Sequence, residues 1–113
     1  MSARHAAALW AAQRFTAVIL ALCVAVHLVT IIYAVRGGLT AGEILGRTRG
    51  SYAWGAFYGT FVLAAAIHGS IGLRTVALEW LKVRGPALEV GMGVVGLGLA
   101  VLGLRAVYAV VAA

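Results

Sequence analysis

The feature that most constrains this chain is an uncharged stretch as long as a bilayer is thick. It runs from Phe15 to Val35 and is bracketed by Arg14 and Arg36. A helix that rises 1.5 Å per residue over this stretch matches a hydrocarbon core of roughly 30 Å. The sequence therefore predicts a transmembrane helix over 15–35. A separate apolar region with a signal-peptide cleavage site is not evident ahead of this stretch. We therefore expect the helix to be retained in the mature protein.

Two further apolar stretches cover residues 52–81 and 87–111, with charged residues only towards their ends. Between them lie Gly85 and Pro86, and proline is well suited to the first turn of a helix. A glycine-rich, charged segment joins the first two stretches, and we expect a loop there with a short surface turn around residues 41–45. The sequence thus predicts three transmembrane helices.

Composition agrees with this prediction and sets a limit on what the chain can contain. Hydrophobic residues make up 64% of the 113 residues and charged residues 11%, against roughly 45–50% and 25% in soluble domains. Three spans of about 20 residues each, with their connections, leave no room for a separate soluble domain. We therefore expect an all-α membrane protein with a single transmembrane domain over 1–113, and any large catalytic domain must lie on other chains.

The net charge of +6 arises from basic residues that flank the apolar stretches. They form no stripe interleaved with aromatic residues, so they indicate headgroup contacts and membrane orientation, and we expect no nucleic-acid partner. Their distribution favours a cytoplasmic N-terminus. The predicted N-terminal side carries Arg4, Arg14, Arg74, Lys82 and Arg84, and the opposite side carries Arg36, Arg47, Arg49 and Arg105.

Two histidines lie inside the predicted spans, His27 in the first and His68 in the second. Ionisable side chains are costly in a membrane interior and are functional candidates by default. An isolated intramembrane histidine could instead only hydrogen-bond a neighbouring carbonyl. Two of them in so short a chain favour a functional role. The single cysteine, Cys23, allows neither an internal disulfide nor a thiolate metal site.

The surroundings of His68 predict a site for a planar cofactor. Gly72 lies one turn further along nearly the same helical face, which leaves a flat surface beside the imidazole. Haem iron accepts imidazole as an axial ligand. Arg74 lies about 9 Å along the axis from His68, where it could reach haem propionates. The alternative is a small-residue packing face with an arginine that extends to the headgroups.

The string His68-x-x-x-Gly72-Leu73-Arg74, followed by Glu79-Trp80, resembles the second-helix motif of the cytochrome b anchor subunits of succinate dehydrogenase and fumarate reductase. This resemblance implies that His68 is an axial ligand of haem b. Gln13-Arg14-Phe15-Thr16-Ala17 resembles the family's His-Arg-x-Ser-Gly entry to the first helix. There the resemblance implies that Arg14 lies by the propionates and the quinone pocket, and that Thr16 supplies the hydroxyl.

The sequence departs from the family pattern at three positions. Gln13 stands where the family often has histidine, Ala17 where it has glycine, and Trp10 where a quinone-site serine is expected. These departures all concern the first-helix motif, so they bear on the quinone pocket more than on the haem ligand.

Helical rise predicts different depths for the two histidines. His27 lies about 20 Å along the first helix from Arg14, whereas His68 lies only about 9 Å from Arg74 at the same membrane face. They cannot readily ligate one iron, so if both are ligands they serve two haems. Each iron would then need its second histidine from another chain, a sister anchor subunit or less plausibly a second copy.

The resemblance implies a haem b-binding anchor subunit of the cell inner membrane that passes electrons between an iron–sulfur subunit and membrane quinone. The implied partners are a flavoprotein subunit, the iron–sulfur subunit, and a second anchor subunit that completes the helical bundle of which this chain is half. The implied cofactors are one or two b haems and quinone. A haem-free quinone-binding anchor is the main alternative. A small transporter is disfavoured, because all three acidic residues are expected in loops or at the membrane interface.

Overall fold

The computed structural model describes residues 2–112, and this part of the chain is helical with no strands. There are four helices: α1 (Ala3–Gly37), α2 (Ala41–Thr48), α3 (Tyr52–Glu79) and α4 (Pro86–Val111). Three of them, α1, α3 and α4, are long and apolar enough to cross a membrane. The predicted all-α class and the three spans are therefore confirmed.

The first helix begins well before the predicted span, at Ala3. Ser2 caps it, because its hydroxyl accepts a hydrogen bond from the backbone N–H of His5 at 3.1 Å. The residues that follow are rich in alanine, which has the highest helix propensity. At 35 residues, α1 is about 52 Å long, far more than a bilayer core requires. Its N-terminal part therefore forms a helical extension.

Helix α3 is the central element, with α1 packed on one side and α4 on the other. Most of the buried residues belong to it, namely Ala64, Ala66, Ser70, Ile71 and Arg74. The flanking helices expose most of their large apolar side chains, as helices that face lipid or other subunits do.

Two glycines of α4 allow it to approach α3 closely. A Cβ added at Gly96 would lie 3.3 Å from the Cβ of Ser70, and one added at Gly103 would lie 2.5 Å from Cγ1 of Val62. At Gly98 an added Cβ would meet nothing within 4 Å. Small residues serve close helix packing in membranes, and here that role is confined to particular glycines of a glycine-rich helix.

The short helix α2 binds the ends of two spanning helices. Arg47 Nη2 donates to the carbonyl oxygen of Gly38, just after α1, at 2.6 Å. Thr48 Oγ1 donates to the carbonyl oxygen of Val110 in α4, also at 2.6 Å. The N–H of Gly50 donates to Val111 at 2.7 Å. The last carbonyls of a helix have no partner within it, so this segment caps α1 and α4 together.

Candidate functional site

A groove between α1 and α3 holds most of the residues that the sequence singled out. Its volume is about 670 Å³, within the range of small-molecule and cofactor sites. From α1 it is lined by Trp10, Gln13 and Arg14, and from α3 by His68, Gly72 and Glu79. The N-terminal extension of α1 forms much of one wall, so the groove lies towards the end of the molecule where α3 ends.

Thr16 lies within hydrogen-bonding distance of His68. Its hydroxyl oxygen is 3.3 Å from Nδ1 of the imidazole and donates to the backbone carbonyl of Ala12 at 2.7 Å. The residue is only 4% exposed. The resemblance had implied a hydroxyl for the cofactor or quinone pocket, whereas in the structure this hydroxyl contacts the ring of the candidate ligand.

The face beside Gly72 is less open than the spacing of small residues suggested. Nε2 of Gln13 lies 3.5 Å from the position that a Cβ at Gly72 would occupy. A side chain of α1 thus covers part of the flat surface expected next to His68. Oε1 of the same glutamine is buried and has no hydrogen-bond partner. A buried acceptor without a donor is costly, so this amide marks a place where a ligand with a hydroxyl or N–H group would gain a bond.

The two arginines of the predicted site have different surroundings. Arg74 is buried between α3 and α4, and its Nη2 and Nε lie 2.8 and 3.2 Å from Oε1 of Glu89. Arg14 is exposed at the rim of the groove, with its guanidinium carbon 5.6 Å from the ring centroid of Trp10. The ready cation for an anionic group in the groove is therefore Arg14.

Sequence reasoning missed Glu89 as a partner of Arg74. A signal for it was present, because a short connection makes α3 and α4 antiparallel neighbours. Residues near the end of α3 and near the start of α4 then lie at the same depth along the bundle. A buried arginine at such a position calls for a carboxylate nearby.

His27 lies in separate surroundings nearer the opposite end of the molecule. Its ring meets those of Tyr58 and Phe61 edge-on, at centroid distances of 5.9 and 5.7 Å. Nδ1 is buried without a hydrogen-bond partner. The residue borders a cavity of about 460 Å³ that Trp54 and Arg47 also line.

The structure does not bring the two histidines together. His68 is level with Thr16 on α1, and His27 lies about 16 Å further along that helix by its rise. Among residues 2–112, no three His, Cys, Asp or Glu side chains converge as a protein metal site would require. Each histidine would therefore be the only donor of its kind that this chain gives to a metal at that depth.

Of the comparisons with known proteins, the one with protein-family models gives a match. Neither the curated proteins nor the solved structures provide a match. A family model described as succinate dehydrogenase/fumarate reductase transmembrane subunit matches residues 1–113, the full length of the chain. The three apolar helices agree with such a subunit. The chain therefore belongs to the family of transmembrane subunits of succinate dehydrogenase and fumarate reductase, and it is a membrane anchor.

Proposed function

We propose that this anchor binds haem b through His68 and passes electrons between the iron–sulfur subunit of its complex and membrane quinone. The observation that carries the proposal is the position of His68, half-buried in an otherwise apolar span and bordering a groove of cofactor size. Its Nδ1 is engaged by Thr16, so Nε2 is the ring nitrogen left for a ligand. Imidazole in such a setting suits haem iron.

The residues around the groove fit a haem in their chemistry. His68 would hold the iron, and the exposed guanidinium of Arg14 would bind a propionate carboxylate. Arg74 also borders the groove, but a propionate would share it with Glu89. Gln13 would turn away from Gly72 to leave a flat face. When bound, a b haem supplies reversible one-electron transfer, and this chain contributes the ligand, the charge at the rim and a dry environment.

His27 is proposed as a ligand for a second haem, at the depth of the opposite leaflet. Its support is an unpartnered ring nitrogen, an adjoining cavity, and Arg47 at the edge of that cavity. Because each site draws one imidazole from this chain, the other imidazole would come from a sister anchor subunit. The two chains together would then form the complete helical bundle.

A haem-free quinone-binding anchor is the second candidate, and Gln13 is the observation in its favour. Its side chain already lies against Gly72, and its buried Oε1 lacks a donor. A quinol hydroxyl could supply that donor, and Arg14 could stabilise negative charge on a quinone oxygen during reduction. In this case the groove would bind a quinone head group instead of a porphyrin.

The proposed assembly has the flavoprotein and iron–sulfur subunits on the side of the groove, which is also the proposed cytoplasmic side of an inner membrane. The start of α1, the end of α3 and the start of α4 meet at this end. Arg4, Arg84 and Lys82 are exposed there, consistent with the positive charge that cytoplasmic loops carry. Chemistry on succinate or fumarate would take place on the flavoprotein subunit.

The test is the reduced-minus-oxidised absorbance spectrum of the purified complex, with the haem-to-protein ratio. The variants are His68→Ala and His27→Ala. His5→Ala is the matched control, because His5 lies in the exposed first turns of α1 and outside both proposed sites. We expect a b-type signal in the wild type and in the control, and its loss at one site in His68→Ala.

Each outcome separates the alternatives. A signal that halves in both variants supports two haems with one ligand each from this chain. Loss in His68→Ala alone supports one haem and leaves His27 as a packing residue. A wild-type complex that is fully assembled and contains no haem overturns the first proposal and favours the haem-free quinone anchor.

A further inference from the structure

The hydroxyl of Thr16 makes three polar contacts and has only one proton to give. Its oxygen lies 2.7 Å from the carbonyl oxygen of Ala12, 3.2 Å from that of Gln13 and 3.3 Å from Nδ1 of His68. A carbonyl has no proton to give, and 2.7 Å is the usual length of an O–H···O hydrogen bond. The hydroxyl proton must therefore lie between Thr16 and Ala12.

The contact with His68 must then use a proton from the imidazole. Nδ1–H donates to a lone pair of the Thr16 oxygen, because that oxygen has no second proton to offer. We infer that Thr16 is a positioning residue that holds neutral His68 in the tautomer with the proton on Nδ1 and the lone pair on Nε2. A haem-ligating histidine needs that lone pair, so the link to haem rests on the proposed function, whereas the tautomer itself does not.

The surroundings of Thr16 make it a fixed acceptor. It is nearly fully buried, its β-branched side chain has few rotamers, and its bond to Ala12 ties it to its own helix. The imidazole would thus be held in both tautomer and ring orientation. Partners of this kind behind a ligating histidine commonly govern metal affinity. As an uncharged acceptor, the threonine would increase electron donation to a metal less than a carboxylate would.

His27 provides an internal comparison. Its Nδ1 has no hydrogen-bond partner, so nothing equivalent selects its tautomer. The two intramembrane histidines should therefore differ in how strongly one tautomer is preferred, which can be measured whether or not haem is present.

The first experiment is solid-state NMR of the complex, with ¹⁵N-histidine incorporated in this chain only and the complex prepared from haem-deficient cells at alkaline pH. The variants are Thr16→Val, which removes the hydroxyl but keeps the shape, and Thr16→Ser, which restores it. Thr30→Val is the control for losing a backbone-bonded hydroxyl from the same helix, because Thr30 donates to the carbonyl of Val26 at 2.8 Å. We expect a pure Nδ1–H signal at His68 in the wild type, in Thr16→Ser and in Thr30→Val, and a loss of that signal in Thr16→Val.

The second readout uses the haem-loaded complex. Thr16→Val should weaken haem retention by about 10-fold, the lower end of the effect of losing such a partner, and should raise the midpoint potential because the imidazole donates less charge to the iron. Thr16→Ser should restore both values. An unchanged potential in Thr16→Val would overturn the link between this residue and the haem.

The outcomes separate this inference from the proposed function. An Nε2–H tautomer at His68 in the wild type, or an unchanged signal in Thr16→Val, overturns the role of Thr16 even if haem is bound. A Thr16-dependent tautomer in a wild-type complex that never binds haem supports the role of Thr16 and overturns the haem proposal.

Discussion

Replacing Gly103 with alanine should separate α4 from α3. The new Cβ would lie 2.5 and 2.9 Å from the two methyl carbons of Val62 and 3.2 Å from its Cβ. Carbon atoms pack best at about 3.5–4.0 Å, so the nearest methyl must move by about 1 Å. Rotating the valine does not remove the contact with its Cβ, and a helical valine has one strongly preferred rotamer.

The expected cost is that of overpacking, about 1–3 kcal/mol of unfolding free energy. Gly98→Ala is the matched control, because an added Cβ there meets nothing within 4 Å. It carries the same gain in helix propensity, up to about 1 kcal/mol. The difference between the two variants therefore isolates the steric effect at Gly103.

The assay is reversible unfolding in mixed detergent micelles, followed by circular dichroism. Val62→Ala removes both obstructing methyls, so the double variant with Gly103→Ala should recover most of the loss, with a coupling energy as large as the steric cost. Equal stability of Gly103→Ala and Gly98→Ala would refute the close α3–α4 contact. Additive effects in the double variant would refute the assignment of the cost to Val62.

Two further predictions concern the ends of the helices and use the same unfolding measurement. Thr48→Val should cost about 0.5–1.5 kcal/mol, because the carbonyl of Val110 loses its donor, and Thr48→Ser should not. Glu89→Ala should lower stability more than Glu79→Ala does, because it removes the carboxylate that binds the buried Arg74. Equal effects of the two glutamate variants would mean that the ion pair does not stabilise the contact between α3 and α4.

The spans could be predicted because their length and lack of charge are set by the bilayer. Two helical segments were not fully predicted, for different reasons. The first turns of α1 lie outside the uncharged stretch that defined the helix, although Ser2 and the alanines that follow it are sufficient to start one. For α2 the sequence predicted only a short surface turn around residues 41–45 within a loop, because the segment is rich in glycine. Thr40 and Glu43 nevertheless have the Thr-x-x-Glu spacing of a capping box, and the N–H of Glu43 donates to the Thr40 hydroxyl at 3.2 Å.

The sequence could predict the depths of the two histidines in the membrane but not the contacts within the candidate site. Helical rise alone separates His27 from His68, because it depends only on residue spacing. The contacts of Gln13 with Gly72 and of Thr16 with His68 depend on how each helix is rotated about its own axis. Spans that are apolar on every side carry little periodic signal for that rotation. For this reason, spacing within α3 predicted an open face at Gly72, and the residue that covers it belongs to α1.

The helical extension of α1 limits how a soluble subunit can approach the proposed redox site. Residues 3–14 reach about 18 Å beyond the start of the uncharged stretch. The extension does not stand alone, because its residue His5 lines a cavity with Arg84 and Gly85 of the connection between α3 and α4. A partner that contacts the groove must lie alongside the extension, against the face that carries Trp10 and Gln13. The extension would then fix the lateral position of the docked subunit, and the membrane surface would set its height.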